Sequence, residues 1–492
     1  MSMFSWRLCT RIGLVLALAA GLSGPVWAEH PGSPTPATEM QAVAQAQKSE
    51  PEEAAQPHGG SPESGKQLIS LTKVAPDVTP VSDYTGDIWN RSTALGDLFG
   101  ERQNLYEKGI IFDAQVSQVV EGIASGGPDD GPGARYFGLA DYGISLDTAK
   151  LGLWSGGLFT ANAQSSWGNS LFGETRTAAP VNNLSLYPIP GKIDTVLMEY
   201  YYTQALPGNM VVVVGRLNAV NFLDKNRLAN NPRNQFLNGT INNNPLFGEF
   251  VSFSTYAGLL VVPVTKGFTA AFAIWDPNDV PGDYGSTNGF FDEVGVGTQL
   301  EFDWTLGNNL GGAFRPAFLY SSADTTDLDN PRLIPDLISG QQPAQKSDNY
   351  IVHINLEQYF WKPDTPTMGA KPARTADYDF QERGVGVFMR GGWVPEDRTI
   401  YDIYLSGGVG GRGFFESRPY DRFGVGVYWL KESDDFDALP GNLVQDEVGV
   451  EAFYNFAITP WATLSGHIQW IDNTLTRTDD TVVLSTRLNV RF

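Results

Sequence analysis

Apolar and polar residues alternate with a period of two along most of the chain that follows residue 110. The segment 350–360 shows the pattern, with apolar side chains at Tyr350, Val352, Ile354, Leu356 and Phe360 and polar ones between them at His353, Asn355 and Glu357. Segments 292–304, 446–458 and 481–492 repeat it. Because successive side chains of a β-strand point to opposite faces, the pattern predicts strands that are apolar on one face and polar on the other.

The number of these strands helps to decide between a soluble sandwich and a membrane barrel. About sixteen comparable segments fit between Ile110 and Phe492, as in barrels whose strands of roughly 10 residues cross a bilayer. Closure leaves no edge strand, so every backbone hydrogen bond is satisfied in lipid. We therefore predict an all-β fold, a transmembrane antiparallel β-barrel of about sixteen strands preceded by a short N-terminal helix. A barrel this wide encloses water, because its own side chains cannot fill it.

Residues 1–28 have the composition of a signal peptide. Two arginines precede the apolar run Ile12–Leu22, and Val26–Ala28 fits the small-x-small rule of a cleavage site. The apolar run is too short to span a bilayer of ~30 Å as a helix. We expect export through this segment and a mature chain that begins near Glu29.

Two segments separate this peptide from the predicted barrel at 110–492. Residues 29–86 are rich in Pro, Ala, Gln, Glu and Ser, so we expect a disordered, acidic periplasmic extension. Residues 87–109 show helical spacing of apolar side chains and end at Gly109, which predicts a short helix. This helix is either a strut at the entrance of the barrel or a partial plug on its periplasmic side.

Composition and charge exclude several classes of function. The single cysteine, Cys9, lies in the predicted signal peptide, so we expect no disulfide, thiolate metal site or cysteine nucleophile in the mature chain. A net charge of −22 argues against nucleic acid as a partner. With only four histidines, of which His353 faces the predicted lumen, we expect no catalytic residue and no enzyme. The acidic run Asp324–Asp329 lacks the pattern of a calcium loop, and we expect no metal and no cofactor.

Three segments resemble a known family. They are Leu98–Ile110, with Glu-Lys-Gly before the first strand, Asp421–Trp429, and Gly449–Trp461. In these the chain resembles the carbohydrate-selective porins of the OprB family, and the final Phe492 resembles the assembly signal of outer-membrane barrels. The resemblance implies a sixteen-stranded pore in the outer membrane of a Gram-negative bacterium, with a constriction of charged and aromatic side chains that passes glucose and related sugars. Its partners would be small sugars and outer-membrane lipid. The long acidic extension departs from the family pattern.

Charged residues within strands indicate which face points inward, because Arg or Lys facing lipid at the bilayer midplane costs about 2 to 4 kcal/mol. The predicted lumenal side chains are Glu199, Arg216, Glu357 and Arg390. By the same parity Val196 and Met198 should face lipid. Sugar hydroxyls need donors and carboxylate acceptors, so we predict that the four charged side chains line the pore and contact sugar. The alternative is that each forms a lumenal ion pair that only stiffens the wall or sets the electric field of the pore.

The stretch Asn221–Pro245 is long, rich in asparagine and free of period-two alternation. Such connections are usually functional or disordered. We predict that it folds into the lumen as a constriction loop, with Asp224, Lys225 and Arg227 near the narrowest point; the alternative is an exposed extracellular loop.

The function predicted from these features is passive, carbohydrate-selective diffusion into the periplasm. The alternative is a general or anion-preferring diffusion porin; the acidic balance and the mixed signs of the lumenal charges weigh against a preference for anions. The sequence leaves open whether protomers form a homo-oligomer.

Overall fold

The structure is a computed structural model, and it describes residue 84 and the ranges 86–128, 133–188, 195–218, 223–252, 254–279, 292–363, 383–437 and 444–492. The predicted signal peptide at 1–28 lies outside the described residues. The predicted extension at 29–86 also lies outside them, apart from Tyr84 and Gly86.

Strands dominate the described residues. They are β1 (Ile110–Gly127), β2 (Arg135–Asp147), β3 (Gly157–Gly168), β4 (Thr195–Leu206), β5 (Met210–Leu217), β6 (Thr255–Thr265), β7 (Phe268–Trp275), β8 (Gly295–Leu306), β9 (Leu310–Ser321), β10 (Thr325–Thr326), β11 (Gln345–Lys346), β12 (Asn349–Trp361), β13 (Gly384–Trp393), β14 (Tyr401–Arg412), β15 (Arg422–Glu432), β16 (Glu447–Thr459), β17 (Ala462–Asp472) and β18 (Asp479–Arg491). Four short α-helices accompany them, namely α1 (Glu101–Glu107), α2 (Gly239–Asn242), α3 (Leu333–Ser339) and α4 (Asp434–Asp437). Single 3-10 turns occur at Leu98–Gly100, Asn183–Ser185, Pro207–Asn209, Pro245–Glu249 and Gly307–Asn309.

Sixteen of the described strands close into one antiparallel barrel. Each pairs with the barrel strands before and after it, and the pairing of β1 with β18 closes the ring. The two remaining strands, β10 and β11, form a small separate sheet in the connection between β9 and β12. The predicted sixteen-stranded antiparallel barrel with a short helix before it is confirmed.

The last strand shows how the alternation sorts side chains between the two faces. In β18, Val483, Ser485 and Arg487 are buried whereas Leu484 between them is half exposed. Since the barrel interior is lined by one set of alternating residues and its outer surface by the other, the exposed leucine lies on the outer, apolar face.

Strand β4 departs from the predicted parity at its beginning. The pairing of β4 with β3 skips Met198, which makes this residue the extra one of a β-bulge. The bulge turns Val196 and Met198 inward, where each is 2% exposed and packs against Tyr187. The prediction that these two side chains face lipid is therefore wrong, although Glu199 remains on the lumen side.

The two ends of the barrel differ in their connections. At one end the turns Pro207–Asn209 and Gly307–Asn309 are tight, whereas the other end carries long connections such as 218–254. Helix α1 lies at the tight-turn end, where Arg102 donates a hydrogen bond of 2.7 Å to the carbonyl oxygen of Phe492. This contact ties the helix to the seam between β1 and β18. No helix within the described ranges has the length and apolar character needed to cross a membrane.

Candidate functional site

The connection between β5 and β6 folds back into the barrel, and its described residues 223–252 are called L3 here. The backbone N–H groups of Leu237 and Asn238 donate to the two carboxylate oxygens of Glu451, each at 2.8 Å. Glu451 lies on β16, which is seven strands from β5 around the barrel in one direction and nine in the other. L3 therefore crosses the lumen and reaches the opposite wall, and does not lie outside the barrel.

Glycines on the lumen face of β15 make room for L3. A Cβ atom at Gly424 would lie 2.7 Å from the ring of Phe236, and one at Gly426 would lie 3.0 Å from Ile241. Both distances are shorter than an ordinary contact between carbon atoms. Phe236 packs edge-on against Phe453 of the wall, with ring centroids 4.8 Å apart. The loop thus packs directly against the wall, with Phe236 and Ile241 completely buried.

Asp224 of L3 is the centre of a buried polar cluster. Its Oδ1 atom accepts hydrogen bonds from Arg390 Nε at 2.7 Å and Asn355 Nδ2 at 2.9 Å, and Oδ2 accepts from the backbone N–H of Asn244 at 2.8 Å. His353 Nε2 lies 3.3 Å from Oδ1. Burial alone would raise the pKa of Asp224, but Arg390 and His353 hold it below its ordinary value. The carboxylate is therefore charged and fully paired.

Arg390 joins three points of L3 to β13. Besides Asp224 it donates to the carbonyl oxygens of Ile241, at 2.9 Å, and Ala229. Its side chain is completely buried, so it makes these contacts away from the open lumen.

Glu199 and Arg216 occupy the two ends of the same connection. Glu199 accepts a hydrogen bond of 2.9 Å from the backbone N–H of Asn218, directly after β5. Arg216 donates to Ser254 Oγ at 2.7 Å, directly before β6, and to Asp279 Oδ1 at 3.1 Å. Both side chains are buried, and their bonds fix the strand ends from which L3 departs.

A second group of charges lies where L3 meets β8, β9 and β12. This charged rim comprises Lys225 and Arg227 of L3 with Glu301, Asp303, Arg315 and Glu357 of the wall. Glu357 lies between Arg315 Nη2 at 3.0 Å and Arg227 Nε at 3.4 Å, and it also accepts the backbone N–H of Arg227 at 2.6 Å. Arg315 Nη2 is also 3.1 Å from Glu301 Oε1. The rim is a network of alternating signs.

Accessibility divides the rim into an outer and an inner part. The side chains of Asp303 and Arg227 are 40% and 22% exposed, with their charged atoms 3.7 Å apart, whereas that of Glu357 is completely buried. Lys225 is half-buried, and desolvation lowers the pKa of its ammonium group to about 8. Of the seven predicted contact residues, Lys225, Arg227 and Glu357 thus meet at the rim, and the first two are accessible to water.

Sequence reasoning missed the wall side of the rim. Glu301, Asp303 and Arg315 lie in regular strands, so the rule that charges within strands face the lumen would have found them. It also missed Arg233 of L3, whose guanidinium pairs with Asp141 on β2, with Nε 2.9 Å from Oδ2. No pattern in the sequence connects residues so far apart.

The connection between β3 and β4 also enters the barrel, and its described residues 169–188 are called L2. Its backbone N–H groups at Leu171 and Ala178 donate to the carboxylates of Glu121 and Glu447, each at 2.6 Å. L2 and L3 contact each other, since the N–H of Asn183 donates to the carbonyl of Leu237 at 2.7 Å. Wall carboxylates that accept loop N–H groups are thus a repeated means of holding both loops.

A metal site requires several donor side chains that converge on one point. In the part of the chain that the structure describes, no group of three or more His, Cys, Asp or Glu side chains is arranged to hold a metal ion. Asp327 of the acidic run instead pairs with Lys346 at 2.6 Å.

The model of the carbohydrate-selective porin, OprB family, matches residues 131–492 of this chain, which is most of its length. This chain belongs to that family. It is a channel and not an enzyme, and the family and the barrel place it in the outer membrane. Because outer-membrane barrels have short periplasmic turns and longer extracellular loops, the tight-turn end with α1 faces the periplasm.

Individual relatives agree with the family. This porin is 23% identical to porin QuiX of Acinetobacter baylyi, over 86% of its own chain and 98% of the relative. It is 23% identical to porin B of Pseudomonas aeruginosa, over 78% of its own chain and 87% of the relative. The high-pH structure of Pseudomonas putida OprB superimposes with a TM-score of 0.70 at 20% identity, covering 83% of this chain and all of that one. The last similarity concerns the fold.

Proposed function

We propose that this porin conducts glucose-like monosaccharides along the side of L3, with the charged rim as the surface that contacts the sugar. The observation that carries the proposal is the accessible pair of opposite charges, Arg227 and Asp303, at the edge of the loop. A guanidinium and a carboxylate together donate to and accept from sugar hydroxyls. Because their signs are opposite, they favour a neutral polar solute over an ion of either charge.

The strands beside the rim support this assignment. Val261 of β6 and Ala271 of β7 lie in one row with Gln299 of β8, next to Glu301. Val261 and Ala271 are partly buried and pack against the apolar core around L3. A sugar has C–H faces as well as hydroxyls, so a polar edge beside a small apolar wall matches both parts of it.

The predicted contact residues receive two different roles in this proposal. Lys225 and Arg227 contact the solute, and Glu357 orients Arg227 from beneath. Asp224 and Arg390 hold L3 in place through their bonds within and to the loop, and Glu199 and Arg216 fix the strand ends from which it departs. For Arg216 and Arg390, which pair with Asp279 and Asp224, this second role corresponds to the ion-pair alternative.

Liposome swelling tests the proposal with glucose, a disaccharide and phosphate as solutes. We expect glucose to enter fastest. Equal entry of glucose and phosphate would indicate a general porin, and faster entry of phosphate an anion-preferring one, and either result would refute the proposal.

Variants of the rim locate the selectivity. Arg227→Met and Asp303→Asn should each reduce the ratio of glucose to disaccharide entry, because the first removes the donors of the pair and the second replaces its charged acceptor by a neutral amide. Arg332→Met is the matched control, since this arginine lies in the connection between β9 and β12 with its side chain 71% exposed. Unchanged ratios in both rim variants would remove the rim from the proposal.

We also propose that residues 1–28 direct export and are removed. The charged and apolar composition of this segment supports the proposal. N-terminal sequencing of the protein extracted from outer membranes should find Glu29 or a neighbouring residue first; an intact Met1 would contradict it.

A further inference from the structure

Apolar side chains are exposed at the periplasmic end of the barrel, around the pre-barrel helix. This surface, called the periplasmic foot, comprises Ile88, Trp89, Leu95, Leu98, Phe99, Leu151, Leu153 and Trp154. The first five precede α1 and the last three lie in the turn between β2 and β3. The two parts are joined by Lys150, whose ammonium group lies 3.4 Å from the ring centroid of Tyr106 in α1.

Both flanks of the foot continue into the lipid-facing surface of the barrel. On one flank Trp461, in the turn between β16 and β17, donates a hydrogen bond of 2.7 Å to the carbonyl oxygen of Ile88. On the other flank Trp154 packs edge-on against Phe159 and Tyr202, with ring centroids 6.4 and 6.1 Å apart. Phe159 is exposed on β3, on the face opposite the buried Thr160. The foot is therefore an extension of the apolar belt, the lipid-facing outer surface of the barrel.

The polar side of the same segment is turned towards the protein. Arg102 is buried and donates to Thr93 Oγ1 at 2.9 Å as well as to Phe492. Just before α1, the backbone takes positive φ angles of 48° at Leu98 and 62° at Phe99. Positive φ angles are unfavourable for large side chains. These conformations leave Leu98 exposed and Phe99 fully exposed. Such strain persists only where surrounding contacts hold it, and it is concentrated at functional positions.

We propose that the periplasmic foot is a membrane-binding surface that lies in the headgroup region of the inner leaflet of the outer membrane. Amphipathic segments bind there with the apolar side towards the acyl chains and the polar side away from them, and Trp is enriched at this depth. The foot has this arrangement. Its polar group Arg102 is bonded to the barrel, and its aromatic and leucine side chains are exposed beside the apolar belt. The occupant is lipid, because the surface is continuous with one that lipid already covers.

The test uses the full chain with Cys9→Ser, which removes its only cysteine. A single cysteine is then introduced as Phe99→Cys, labelled with the fluorophore NBD, and the protein is reconstituted into vesicles of phosphatidylethanolamine and phosphatidylglycerol. We expect quenching by nitroxide lipids at a depth of about 5 to 10 Å inside the headgroup boundary. Iodide in the water should quench the label weakly.

Two further positions provide the references. Asn104→Cys is the aqueous control, because this exposed, polar residue lies on α1 of the same segment, and its label should be quenched by iodide several-fold more than that at residue 99. Ile468→Cys reports the lipid-facing belt of β17, where the side chain is exposed. The proposal is overturned if the label at residue 99 behaves like that at residue 104, which would place the foot in the water of the periplasm. Labelling of Trp89→Cys repeats the measurement at a second position of the foot. The result then does not depend on a local distortion that the label causes at residue 99.

Discussion

Replacing Arg390 by methionine should loosen L3 without emptying the space that the side chain occupies. Methionine retains an apolar stem of similar reach but has no donor. The variant loses the bond to Asp224 at 2.7 Å and those to the carbonyls of Ile241 and Ala229. Asp224 is completely buried and would keep a charge without its strongest partner.

The magnitude follows from that uncompensated charge. Removing one partner of a buried ion pair costs about 3 to 5 kcal/mol. If this cost falls on the docking of L3, the ratio of undocked to docked loop rises about 100-fold to a few thousand-fold, because 1.4 kcal/mol corresponds to a factor of ten. Other anchors, such as Glu451 with Leu237 and Asn238, remain in place. L3 should therefore stay docked most of the time but leave its site far more often.

Single-channel recording in planar bilayers measures the effect as current noise and brief openings to higher conductance. Arg390→Met should increase both. The double variant Asp224→Asn with Arg390→Met removes both charges and should be disturbed less than the sum of the single variants. Wild-type noise in Arg390→Met, in protein that has refolded into the heat-resistant barrel, would refute the assignment of Arg390 as an anchor of the loop.

Three further predictions concern L3. Raising the pH from about 7 to about 9 should shift the reversal potential towards a stronger preference for cations. The pKa of Lys225 is lowered to about 8, so its positive charge is lost across this range. Lys225→Met should abolish the shift. Gly424→Val should raise conductance noise, because the Cβ atom of the new side chain would displace Phe236. Gly466→Val is the control and should leave the noise unchanged, because no atom lies within 4 Å of a Cβ atom at that position. Deleting part of 226–242 should raise single-channel conductance; unchanged conductance would show that L3 does not limit the pore.

The fold followed from the sequence because a membrane barrel imposes a rule on every strand. Charges must avoid lipid, apolar residues must meet it, and the backbone must be fully paired. The alternation in 350–360 and 481–492 was therefore enough to place β12 and β18 with the correct faces. The rule failed at Met198, because a bulge shifts the parity by one residue and the sequence does not mark where one occurs.

The roles of the charges were harder to predict for a physical reason. Parity states that a side chain points inward, but it does not state whether another segment covers it. Arg390 and Asp303 obey the same rule, yet the side chain of Arg390 is buried beneath L3 while that of Asp303 is 40% exposed. The path of L3 depends on contacts across the barrel, such as Leu237 with Glu451, and these have no local signal in the sequence.

Pairing beneath the loops limits what the buried charges contribute to the pore. Asp224 is neutralised by Arg390, and Asp141 by Arg233. A charge that is paired and covered contributes little to the field along an aqueous pore, because its partner lies within hydrogen-bond distance and cancels it beyond that range. The field beside L3 should then depend on the accessible groups of the charged rim, where both signs occur.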